Sequence, residues 1–133
     1  MAILRILLAL FFVAAGAMHF LSPEPYLHIM PAYLPAPLLL VYLSGVGEIA
    51  GGVGVLVPGL RRIAGYGLIA LLIAVFPANV NMALNHISLS GLTLPVWLLW
   101  LRLPLQALLI AWVWFCALRP AAFERVKLRT INL

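Results

Sequence analysis

The sequence predicts an all-α fold, an integral membrane four-helix bundle with both termini cytoplasmic. Three observations carry that prediction. The 133 residues are 66% hydrophobic and only 8% charged, with a mean hydropathy of +1.19, far from the roughly 25% charged content of soluble domains. The apolar residues fall into runs long enough to cross a bilayer at about 20 residues per crossing. Lys and Arg gather in alternate connections between those runs, which is how membrane orientation is written into a chain.

The elements follow in order within a single domain, residues 1–133. The first apolar run covers 3–20. A proline-rich outer link, 21–37, carries five prolines that exclude a continuous helix. The second run, 38–57, stops at Pro58 and Gly59, and Arg61 and Arg62 follow. Residues 63–101 contain no formal charge, a stretch about twice a membrane span. Ser88, Ser90 and Gly91 mark its break, so the third helix is expected over 63–87 and the fourth over 95–118, with Pro95 in its first turn. A cytoplasmic tail, 119–133, completes the chain. Arg5, Arg61, Arg62, Arg119, Arg125, Lys127 and Arg129 all fall on one side, and the opposite loops have none. The first segment also has the pattern of a signal peptide, ending in Ala15-Gly16-Ala17; it is read here as a retained helix. A net charge of +5 placed this way faces a lipid bilayer and is no footprint for nucleic acid. Cys116 is the sole cysteine, so a Cys-x-x-Cys redox pair and an internal disulfide are excluded.

Glu48 and Arg102 stand inside the apolar runs. A charge at mid-bilayer costs about 2.5 to 3.5 kcal/mol on insertion scales and is tolerated when it is paired or lines a cavity. Helical rise puts Glu48 about 15 Å and Arg102 about 10 Å below the outer ends of their helices, close enough in depth to pair or to share an intermediary. Ser44, Glu48 and Gly52 share a face at i, i+4, i+8, so the acid stands on a stripe of small residues that lets helices approach closely. Arg102 and Gln106 share a face, as do Asn79, Met82 and His86. Pro77 and Pro104 free backbone carbonyls as partners for amides and guanidinium. An outer-half pocket is expected from His19, Glu48, Asn79, Arg102, Gln106 and His86. A purely structural clamp between Glu48 and Arg102 is the competing explanation, and interhelical hydrogen bonding suffices for Asn81 and Asn85. His19 and His86, near equal depth, could ligate a haem iron axially, but two helix-end histidines also coincide by chance. A zinc or copper site would need a third ligand, and Glu48 is too deep to join both histidines, so no metal is expected.

The run Gly16-Ala17-Met18-His19-Phe20, followed by Pro23, Tyr26 and Pro31-Ala32-Tyr33-Leu34-Pro35, then Ser44-Gly45-Val46-Gly47-Glu48, resembles the DoxX family of four-helix bacterial inner-membrane proteins. Pro77-Ala78-Asn79 with Met82, and Leu101-Arg102-Leu103-Pro104-Leu105-Gln106, extend the likeness over nearly the whole chain. The resemblance implies a bacterial inner membrane location and a link to membrane redox systems. The expected function is that of a membrane subunit of a quinone-linked or otherwise redox-associated system, with a redox partner protein and a pocket for a quinone head group or small anion. The alternatives are small-solute binding or transport by a homo-oligomer, and a membrane chaperone or scaffold.

Overall fold

The computed structural model describes residues 1–85 and 95–119. Among them all regular structure is helical: α1 (Ala2–Leu21), α2 (Glu24–Ile29), α3 (Pro37–Leu56), α4 (Arg61–Asn85) and α5 (Val96–Val113), which widens into a π-helical turn at Trp114–Leu118. Four of these helices are long and apolar enough to cross a membrane. Their outward faces carry large apolar side chains along their length, whereas soluble monomers rarely expose apolar patches beyond a few hundred Å².

The differences from expectation are local. The proline-rich link holds a short helix, α2, because Pro25 falls in its first turn, where a missing N–H costs nothing. Ala36 enters α3 with φ of 46°, a left-handed conformation that favours glycine. Pro95 precedes α5 as its N-cap instead of lying in its first turn. The expected break at Ser88–Gly91, His86 and the tail from residue 120 onward lie outside the described residues.

Two ends of the bundle differ. At the Arg5 end, the apolar core joins Leu8 and Phe12 to Val55, Leu68, Val113, Cys116 and Leu118. There the Arg5 Nε donates to the Cys116 carbonyl at 3.0 Å, and the Arg61 Nε donates to the Val55 carbonyl at 3.0 Å, satisfying carbonyls that helix ends leave orphaned. At the opposite end, α2 packs against α3 and α4, and a smaller cluster of Ile29, Met82, Ala83 and Leu99 closes around it.

Packing is uneven around the bundle. α1 lies along α3, α3 along α4, and α4 along α5, while α1 meets the fifth helix chiefly at its π-helical turn. The α1–α3 crossing is the closest approach. A Cβ at Gly16 would stand 2.6 Å from the Gly45 carbonyl oxygen, and one at Gly45 would stand 2.8 Å from the His19 Cβ. Gly52 continues this seam against the Ala9 carbonyl, as small residues do where helix backbones touch.

Gly16→Ala should therefore destabilise the protein by about 1 to 3 kcal/mol, because the opposing backbone must move. Gly67→Ala, whose Cβ would meet nothing within 4 Å, should leave stability unchanged or raise it by up to about 1 kcal/mol through helix propensity. Thermal unfolding in detergent checks the contrast, and equal midpoints would remove the close crossing as a determinant of stability.

Candidate functional site

The glycine seam fixes the first half of the site. Because α1 and α3 touch at Gly16 and Gly45, His19 lies one turn above the crossing and Glu48 one turn below it on the facing helix. His19 is buried, with its Nδ1 2.8 Å from the Ala15 carbonyl and 3.4 Å from Glu48 Oε2. A carbonyl only accepts, so Nδ1 carries the hydrogen. Glu48 Oε2 is buried and accepts no hydrogen bond, an uncommon state for a carboxylate oxygen.

α2 supplies the roof. The Tyr26 ring stacks on His19 with centroids 3.9 Å apart and 18° between planes. Burial pushes the Tyr26 phenol above its ordinary pKa, with Glu48 adding to the rise and Arg102 opposing it. Both charges therefore act on this one phenol. The roof is tied down from α4, where Asn81 Nδ2 donates to the Ile29 carbonyl at 3.0 Å and is itself braced by Asn85 Nδ2 on its Oδ1 at 2.6 Å. Asn81 is thus interhelical glue, as expected, whereas Asn85 bonds only to Asn81 within α4.

The second half comes from α4 and α5. Pro77 lies inside α4 and withholds the N–H that would pair with the Ile73 carbonyl. One residue earlier, the Leu72 carbonyl accepts from Gln106 Nε2. Gln106 Oε1 in turn accepts from Asn79 Nδ2 at 2.6 Å, so this buried amide is satisfied at both ends. Arg102 Nη1 donates to Met82 Sδ at 3.1 Å. A thioether is a weak acceptor for a group with five N–H donors.

These side chains line one cavity of about 480 Å³, within the roughly 300 to 1,000 Å³ range of small-molecule sites. All four long helices and α2 contribute to its wall. Its lining is largely apolar, with Phe12, Val41, Leu72 and Leu109 among the apolar residues and a few polar groups set among them. This is the usual makeup of a ligand pocket.

Five of the six residues expected from sequence, His19, Glu48, Asn79, Arg102 and Gln106, are brought together on this cavity; His86 lies outside the described residues. Of the two arrangements expected for Glu48 and Arg102, the direct ion pair is not the one observed. Among the described residues they form no ion pair with each other, and Glu48 is instead matched with His19. The cause is register. Gly47 packs beside Leu71, whereas Arg102 reaches Met82, eleven residues farther along α4, or about 16 Å of helix. Counting each depth from its own helix end concealed this offset, because the helices do not end at one level. Tyr26 lines the same cavity and stacks on His19, a position that sequence reasoning did not single out. Its sequence signal was a tyrosine in a short segment bounded by Pro23 and Pro31, seven residues after His19.

Comparison with curated proteins gave no match, and comparison with solved structures gave none. The profile of one family, described as a domain of unknown function (DUF8561), matches residues 8–117, a span that contains every wall of the cavity. The chain belongs to the DUF8561 family.

Proposed function

We propose that this chain is a multi-pass protein of the bacterial inner membrane whose cavity binds a quinone head group or a similarly small, oxygen-bearing ligand for a redox-associated system. The observation that carries the proposal is the convergence of His19, Tyr26, Glu48, Asn79, Arg102 and Gln106 on one largely apolar cavity. A bundle that needed only helix register would pair its buried charges. Here the acid keeps an acceptor without a hydrogen bond and the guanidinium spends a donor on sulfur. Arg102 would donate to a ligand carbonyl, and Glu48 with His19 would exchange a proton with a ligand hydroxyl. The redox association rests on the resemblance to DoxX proteins. Electrons would come from a partner, since quinone chemistry belongs to the bound cofactor.

The orientation belongs to the same proposal. Arg5 and the Arg61–Arg62 pair lie at one end of the bundle and α2, which lines the cavity, lies at the other, so the positive-inside rule places both termini in the cytoplasm and the cavity in the outer half. Reporter fusions at the N and C termini should both read cytoplasmic; an external reading for either overturns this orientation.

Binding is checked by titrating the purified protein in detergent with a short-tailed benzoquinone. Arg102→Gln and Glu48→Gln should each weaken binding at least tenfold, about 1.4 kcal/mol. Leu108→Ala, on the outward face of α5, should not change it. Saturable binding unaffected by both site variants would remove the cavity as the site. A double variant Glu48→Gln, Arg102→Gln that also keeps full function in cells would favour a scaffold.

A further inference from the structure

We infer that the cavity takes a ligand with a long apolar tail, and that the ligand enters sideways from the lipid through a gap between α1 and α5. The inference rests on the proposed binding role and goes beyond it by assigning the route and the tail.

Three features of the packing make the gap. α1 lies along α3 and meets the fifth helix chiefly at the π-helical turn, so the α1–α5 seam is closed at only one end. That closure consists of the Arg5 bond to the Cys116 carbonyl and, next to it, Phe11 and Trp112 with ring centroids 6.4 Å apart. At the other end, Asn81 pins α2 through the Ile29 carbonyl, so the cavity is roofed against the aqueous side by an ordered element. Between the two closures, Ala15 of α1 and Leu105 and Leu109 of α5 line the cavity.

The same side chains lie on the cavity wall and on the outer surface. Phe11 is 43% exposed and Leu105 is 46% exposed, although both line the cavity. With few contacts between α1 and α5 along this stretch, these two side chains mark where the opening would lie. Both are apolar, and they stand on the lipid-facing surface of the bundle, so the opening is wetted by hydrocarbon and not by water.

Polarity within the cavity gives the ligand its direction. His19 and Tyr26 stack beneath the roof and Arg102 reaches Met82, while Phe11, Phe12 and Leu109 give the cavity an apolar wall on its α1 and α5 sides. A head group that uses the polar groups leaves its remaining length facing the gap. A fully polar solute would gain nothing from that apolar wall and would have to cross hydrocarbon to arrive. An amphiphile dissolved in the bilayer starts in hydrocarbon, and burying its tail stabilises the complex only relative to water; selectivity thus comes from the head group and access from the tail.

The test compares two probes, a decyl-tailed benzoquinone and the same ring without the tail, on the full chain in detergent. Leu105→Trp narrows the gap from α5 and Phe11→Trp narrows it from α1, so that one stands if the other does not fold. Leu108→Trp, 65% exposed and off the cavity wall, controls for bulk on the helix surface. Each gap variant should weaken the tailed probe tenfold or more and leave the tail-free ring within twofold, with the control unchanged for both. Equal losses for the two probes, or no loss for either, would overturn the lateral gap. Binding of the tail-free ring alone to the native protein overturns the gap and leaves the head-group site standing. Binding of neither probe overturns the head-group site as well.

Discussion

The backbone contact between α1 and α3 at Gly16 and Gly45 is the constraint on which the rest depends. Two helices that touch backbone to backbone can bury little else at that level, so the seam selects glycine on both sides. It also decides where α1 does not go. A helix drawn fully onto α3 is withdrawn from α5, and the space left between them becomes the cavity once α2 folds across its end. His19 and Glu48 owe their proximity to the same crossing, each about one helical turn from it.

The polar residues around the cavity divide into two kinds. Gln106 and Asn79 form a closed chain that starts at the Leu72 carbonyl, near the proline-interrupted turn of α4, and leaves neither end of the Gln106 amide wanting. Such a chain meets the requirement that buried polar groups be paired, and it holds α5 against α4. Asn81 and Asn85 serve α2 in the same manner. Glu48 and Arg102 are of the other kind, held in place by the fold without being satisfied by it.

The four long helices were legible in the sequence because helices long and apolar enough to cross a membrane are written at low resolution. Apolar run length survives any detail of packing, and charges inside apolar runs are rare enough to single out Glu48 and Arg102. Helical spacing likewise put Arg102 and Gln106 on one face, and Ser44, Glu48 and Gly52 on another. What was not legible depends on contacts between helices. The offset of Glu48 and Arg102 follows from where α3 and α5 each meet α4, and no single-helix count contains that information. The role of Tyr26 was hidden for a related reason. A six-residue helix between prolines has too few turns for a periodic pattern, and its position is set by Asn81, fifty-five residues later in the chain.

The contrast between satisfied and unsatisfied groups separates structural polarity from chemical polarity in this bundle. Had Glu48 and Arg102 been level, the lowest-energy arrangement would have been a direct ion pair, because opposite charges attract strongly where the dielectric is low. The register of α3 and α5 on α4 prevents that collapse, and α2 places a phenol within the field of both charges instead. Separation thus leaves acceptor capacity on Glu48 and donor capacity on Arg102, on the walls of the same cavity. A single ion of either sign would engage one of the two groups, whereas a molecule carrying an acceptor at one end and a hydroxyl at the other engages both.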